Sequence, residues 1–84
     1  MNACVITFRS VTPAQRGERV LQKAGMVCSL QRTPRWMEEK GCGYSLQLRC
    51  RDVLAAVELL RENGVPFRKV YYRRENGKLE EMEP

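Results

Sequence analysis

The sequence predicts an α+β domain in which two helices cover one face of an antiparallel sheet. Two observations carry this prediction. Apolar and polar residues alternate in three segments and less regularly in a fourth that is rich in β-favouring residues, and apolar residues recur at helical spacing in two others. The order is strand, helix, strand, strand, helix, strand. With 84 residues, 43% of them hydrophobic, the chain has room for one domain, which we place at residues 1–74.

The first strand and the first helix follow from residues 3–25. Residues 3–9 alternate and place Cys4 on the inward face of a strand. Thr12 and Pro13 indicate the start of a helix, and Gly25 suits its end because glycine readily adopts the left-handed conformation found there. The apolar stripe of this helix consists largely of small residues, which lets it lie close to the sheet. Its small members are Ala14, Gly17 and Ala24.

Two further strands follow, with a loop between them. Residues 26–32 alternate until Thr33-Pro34 interrupts the pattern, and a loop is expected from Thr33 to about Gly43. Residues 44–49 are the clearest strand in the sequence, with apolar and polar residues in strict alternation. The polar positions predict that one face of the sheet is open to water.

The second half completes the pattern. Asp52 lies where it can begin a second helix, Asn63-Gly64 marks its end, and residues 67–72 form the last strand. Residues 75–84 are expected to be an acidic, disordered tail. The element order favours a ferredoxin-like βαββαβ two-layer sandwich, with a four-stranded antiparallel sheet and both helices on one face.

Composition excludes several functions. The chain has no histidine, which excludes Ser-His-Asp and Cys-His catalysis, and it has neither a phosphate-binding glycine loop nor a paired-cysteine metal motif. We therefore expect no cofactor, no metal and no turnover enzyme. The net charge of +5 is spread along the chain, which favours a solvated surface over a nucleic-acid site, although such a charge would also steer an anionic partner. The absence of a membrane-spanning run or a leader segment predicts a cytoplasmic protein with no membrane partner.

Three of the four cysteines have a structural interpretation. Cys4 and Cys28 occupy inward strand positions, and Cys50 ends the run that begins at residue 44. Buried cysteine packs as a small hydrophobic residue. Since the sequence shows no secretory leader, we expect these three in the core and no disulfide framework.

Cys42 differs because Gly41 and Gly43 flank it at the entrance to a strand. The absence of neighbouring side chains leaves room for a partner to reach its sulfur. Cations near a thiol favour the nucleophilic thiolate, and the cations close in sequence are Arg32, Arg35 and Lys40. An ordinary tight turn that happens to contain a cysteine explains the spacing equally well.

These motifs occur in a characteristic order. Thr33-Pro34-Arg35 and then Gly41-Cys42-Gly43 lead into an alternating strand, behind Val5-Ile6-Thr7-Phe8 and ahead of Glu62-Asn63-Gly64-Val65. This order resembles the putative selenium/sulfur carrier protein-like family over roughly residues 4–73. The resemblance implies a small ferredoxin-like domain that is not a conventional enzyme. It also implies that Cys42 is the residue that carries sulfur or selenium.

The loop before Cys42 departs from the family pattern. Small, Ser-rich residues are usual there, whereas this chain has Trp36-Met37-Glu38-Glu39-Lys40. The two glutamates would oppose formation of the thiolate if they lay near Cys42. Trp36 is either a docking residue for a partner or a cover for the sheet edge.

Two functional hypotheses follow. In the first, Cys42 receives sulfur or selenium from a donor such as a cysteine desulfurase, holds it as a persulfide or selenopersulfide, and passes it to an acceptor enzyme. Arg35 and Arg32 would stabilise the anion, and Thr33-Pro34 would fix the loop. In the alternative, the chain is a non-enzymatic module that binds protein or RNA through the open sheet face. RNA binding is less favoured than the carrier hypothesis, because the outward positions that would stack bases hold no aromatic residue; they are Thr7, Arg9, Ser45 and Gln47.

Overall fold

The computed structural model describes residues 3–32, 43–73 and 79–82. The strands are β1 (Ala3–Phe8), β2 (Cys28–Arg32), β3 (Tyr44–Arg49), β4 (Val70–Arg73) and β5 (Leu79–Met82). The helices are α1 (Val11–Lys23) and α2 (Val53–Glu62), and a 3₁₀ helix at Cys50–Asp52 leads into α2.

The five strands form one antiparallel sheet in the order β2-β3-β1-β4-β5. The α+β architecture with two helices is therefore confirmed, but the predicted count of four strands is wrong. The additional strand, β5, comes from the segment predicted as a tail and pairs with β4 at the edge of the sheet. The ferredoxin-like description stays a prediction, since it was made for a four-stranded sheet.

Side-chain contacts hold β5 against β4. The hydroxyl of Tyr72 donates a hydrogen bond to Glu80 Oε2 at 2.6 Å. Lys69 and Glu81 form an ion pair at 3.6 Å, but both side chains are half exposed, so it contributes little. The charged acceptor and the partial burial make the Tyr72–Glu80 hydrogen bond the stronger of the two contacts.

The core lies between one sheet face and the two helices. It is built from alternate residues of β1 and β3 and from the apolar stripes of α1 and α2. Its largest fully buried side chains are Phe8, Ile6, Leu21, Leu46 and Leu60. A Cβ placed on Gly17 of α1 would lie only 3.1–3.3 Å from the side chains of Leu60, Phe8 and Leu46. Glycine at this position therefore lets α1 approach the sheet closely, as the small-residue stripe predicts.

The helix ends largely follow the sequence signals. Gly25 and Gly64 have φ of +82° and +66°, so both adopt the left-handed conformation that ends a helix. At its N-terminus, α1 begins at Val11, and Ser10 is its N-cap residue with an extended backbone. This start lies slightly before the predicted one. The difference is within the usual variation of helix boundaries.

The last predicted strand begins later than expected, at Val70 instead of residue 67. The backbone of Thr7 bonds to both Arg68 and Lys69, so two residues of the incoming chain face one residue of β1. The Thr7 hydroxyl also accepts a hydrogen bond from the Lys69 N–H at 3.1 Å and donates one to its carbonyl oxygen at 3.2 Å. This irregular pairing accounts for the start of β4 at Val70 and not at residue 67.

The second face of the sheet, opposite the helices, is not open to water throughout. Val5, Thr7 and Ser45 lie on this face and are only 4%, 3% and 0% exposed. Val5 is also outside the core cluster that includes its strand neighbours Cys4 and Ile6. The prediction of one wet face is therefore wrong at the centre of β1 and β3.

Candidate functional site

The sheet fixes both ends of the segment that carries Cys42. Arg32, the last residue of β2, is paired with Tyr44, the first residue of β3, and the pairing continues in register for five residue pairs. Gly43 is buried where the chain enters β3, whereas Arg32 is exposed. The end of β2 and the start of β3 therefore lie side by side, and residues 33–42 of the predicted loop are outside the described part of the chain.

Most of the predicted site lies in that segment. Arg32 and Gly43 are described: Arg32 is the last residue of β2, and Gly43 immediately precedes β3. The remaining predicted residues are outside the described part of the chain: Thr33, Pro34, Arg35, Gly41 and Cys42. Residues 36–40, which depart from the family pattern, also lie outside the described part of the chain.

A disulfide bond joins Cys4 of β1 to Cys50 of the 3₁₀ helix, with Cα atoms 4.9 Å apart. The expectation that these cysteines only pack in the core, without a disulfide framework, is therefore wrong for this pair. The cause is the strand register: Cys4 is paired with Leu48, which brings the chain just beyond β3 within reach of β1. The predicted core placement holds for Cys4, which is fully buried, while Cys50 is partly buried against the core.

Cys28 is not bonded to another cysteine and is half-buried against the core, as predicted. Burial raises the pKa of its thiol, and the nearby Glu18 carboxylate raises the pKa further. Its Sγ also lies 4.0 Å from the carbonyl oxygen of Glu18. Because the thiolate is the nucleophilic form, these surroundings make Cys28 a weak nucleophile.

The surface around Cys28 offers only a shallow depression. This open pocket of about 300 Å³ lies between the ends of β2 and β3 and is lined by Val27, Cys28, Ser29 and Arg49 among others. Among the described residues, no three His, Cys, Asp or Glu side chains are grouped so that they could hold a metal ion. Neither described helix has the length and apolar character needed to cross a membrane.

The second sheet face offers little to a nucleic acid or peptide. Of the outward positions considered for base stacking, Thr7 and Ser45 are buried, and Ser45 donates a 3.5 Å hydrogen bond to the Gln31 carbonyl oxygen. Gln47 is only partly exposed. The burial of these central positions disfavours the sheet-face binding module.

Comparison with known families gives one match. The family model described as "Putative Se/S carrier protein-like" matches residues 3–72. The matched range contains both helices, the first three strands, most of β4 and the segment with Cys42, and it ends before β5. No curated protein and no solved structure matches the chain.

Proposed function

Because the chain belongs to the Putative Se/S carrier protein-like family, we propose that it carries sulfur or selenium on Cys42 and delivers it to an acceptor protein. The cargo is held as a persulfide or selenopersulfide. The observation that carries this proposal is the family match over residues 3–72, which contains the Gly41-Cys42-Gly43 motif.

The other three cysteines support Cys42 as the carrier because they are less suited to accept sulfur from a donor persulfide. Cys4 and Cys50 are bonded to each other and have no thiol to offer in this state. Burial and the nearby Glu18 carboxylate raise the pKa of the Cys28 thiol, which lowers its thiolate fraction at a given pH. Loading from a donor persulfide requires a free thiolate, and glycine on both sides of Cys42 leaves its backbone unhindered.

The ends of the segment also support a role for a loop cysteine. The β2–β3 pairing holds Arg32 opposite Tyr44, the residue that follows Gly43. Functional side chains are commonly placed on loops that a rigid scaffold positions. The guanidinium of Arg32 is exposed at the point where this loop leaves β2, so it can attract an anionic persulfide to that edge of the sheet.

The proposed transfer is an exchange at sulfur. The Cys42 thiolate attacks the outer sulfur of the donor's persulfide, a new S–S bond forms on Cys42, and the donor cysteine leaves as a thiolate. An acceptor thiolate then attacks the carried sulfur and releases the Cys42 thiolate. Arg32 and Arg35 would stabilise the negative charge in both steps, and Thr33-Pro34 would fix the direction in which the loop leaves β2.

The experiment is loading from a cysteine desulfurase with ³⁵S-labelled cysteine. The wild-type chain should acquire label that dithiothreitol removes, and Cys42→Ser should acquire none. Cys28→Ser is the matched control and should load like the wild type. Equal label on Cys42→Ser would refute the assignment of Cys42.

A further inference from the structure

The Cys4–Cys50 disulfide joins two cysteines that differ in their access to solvent. Cys4 is fully buried in β1, between its strand partners Leu48 and Tyr72. Cys50 lies in the 3₁₀ helix outside the sheet and keeps part of its surface exposed. Exchange at a disulfide depends on which sulfur an incoming nucleophile can reach. Attack from solvent is therefore directed to Cys50, with Cys4 as the leaving group.

The charges around Cys50 favour a small anion. Arg49 and Arg51 precede and follow it in the chain, and both are exposed. The 3₁₀ helix continues into α2, whose first N–H groups add positive partial charge at this end. Asp52, which is partly exposed, is the opposing charge in the same turn. Two guanidinium groups against one carboxylate leave the turn positively charged overall.

We propose that Cys50 is a second chalcogen-binding site, at which the disulfide takes up hydrosulfide or hydroselenide directly. The sulfur of HS⁻ attacks Cys50 Sγ, forms a new S–S bond there and breaks the bond to Cys4 Sγ. The electron pair of the broken bond stays on Cys4, which takes the proton that the new persulfide loses. The products are a Cys50 persulfide anion and a Cys4 thiol, so the disulfide itself is the oxidant.

The same pair of cysteines releases the cargo. The Cys4 thiolate attacks Cys50 Sγ, expels HS⁻ and restores the disulfide, so the cycle leaves no net oxidation. Hydroselenide reacts in the same way and forms an S–Se bond on Cys50. The site needs neither Cys42 nor a protein donor, and it therefore extends the proposed function and does not depend on it.

The test uses the oxidised full chain with Cys42→Ser and one equivalent of sodium hydrosulfide, followed by an alkylating reagent. Cleavage after glutamate yields residues 40–58, in which Cys50 is then the sole cysteine. We expect one added sulfur on this peptide and a newly released thiol on Cys4. Sodium hydroselenide should add one selenium at the same place. Cys50→Ala in the same background should remove the added sulfur.

Cys4→Ala in the Cys42→Ser background is the decisive control. It keeps the Cys50 thiol but lacks the disulfide that accepts the electrons, so sulfur loading should fall by at least about tenfold. Three results would each overturn the proposal. They are added sulfur on Cys4, equal loading of the Cys42→Ser protein with and without Cys4→Ala, and two free thiols with no added sulfur. The last result would leave the disulfide as a structural crosslink only. Loading from a desulfurase tests Cys42, whereas loading from hydrosulfide tests Cys50. A negative result in one experiment therefore leaves the proposal for the other cysteine intact.

Discussion

Cys4 and Cys50 lie 46 positions apart in the sequence, yet a disulfide holds their Cα atoms 4.9 Å apart. The bond ties the strand at the centre of the sheet to the turn that begins α2. It thereby links the two layers of the fold, in addition to the apolar contacts between them.

Reducing this disulfide should lower the free energy of unfolding by about 2–4 kcal/mol, because the bond restricts a long loop in the unfolded chain. Urea unfolding with and without dithiothreitol measures the difference. The double variant Cys4→Ala/Cys50→Ala should show no effect of dithiothreitol, and Cys28→Ser should respond like the wild type. Equal stability of the oxidised and reduced wild type would contradict a stabilising role.

Tyr72→Phe should loosen β5, because it removes the 2.6 Å hydrogen bond to Glu80. The loss is expected to be about 0.5–1.5 kcal/mol, and it should be local. Hydrogen exchange of the amides of residues 79–82 measures it. Tyr71→Phe is the matched control, since Tyr71 lies on the other face of the same strand. If the amides of residues 79–82 exchange at the same rate in both variants, the hydrogen bond does not hold β5 in place.

Gly17→Leu should destabilise the fold by about 1–3 kcal/mol, because a side chain at this position must enter a packed core. The nearest side-chain atoms would lie within 3.1–3.3 Å of the first added carbon. Thermal unfolding followed by circular dichroism provides the measurement. Arg16→Leu, an exposed position on the same helix, should leave stability nearly unchanged. A stable Gly17→Leu protein would contradict the close approach of α1 to the sheet.

The Cys28 thiol should react slowly with iodoacetamide at pH 7. Its raised pKa means that a smaller fraction is thiolate at this pH than in a free cysteine, and that reactivity increases only as the pH rises through the higher pKa. Glu18→Gln removes the second cause of the shift and should speed alkylation, but by less than removal of the burial would, because burial is the larger cause.

This alkylation is measured in the Cys42→Ser background, so that Cys28 is the reacting thiol beside the intact disulfide. Glu58→Gln, an exposed carboxylate on α2, is the control and should have no effect. Alkylation of Cys28 at the rate of free cysteine would contradict the raised pKa that disfavours Cys28 as the carrier.

Arg32→Gln should slow the loading of Cys42 by about two- to tenfold, because it removes a cation from the edge at which the segment leaves the sheet. The reduction should shrink as salt concentration rises. Arg16→Gln, an exposed arginine on α1, serves as the matched control. Identical loading rates and salt dependence for the two variants would exclude Arg32 from the site.

The sequence predicts the regular elements well because their signals are local. Strict alternation places β3 at residues 44–49, and the left-handed glycines mark the helix ends. The fifth strand is missed because Glu80 and Glu81 have low strand propensity. An available signal is Asn76-Gly77, a dipeptide typical of hairpin turns, which lies between β4 and the segment that forms β5.

The disulfide has no comparable local signal. Its two cysteines are brought together by the β1–β3 register, a long-range property that the spacing of Cys4 and Cys50 does not reveal. The burial of Thr7 and Ser45 is missed for a related reason. Polar residues in an alternating strand predict a face opposite the core, but they do not determine how enclosed that face is.

The most direct measurement is the position of the sulfur after loading by a desulfurase. Trypsin separates Cys4, Cys28 and Cys42 onto the peptides 1–9, 24–32 and 41–49, so mass spectrometry of the alkylated digest identifies the carrier. We predict one extra sulfur on the peptide 41–49. Sulfur found on either of the other two peptides, with 41–49 unmodified, would contradict it.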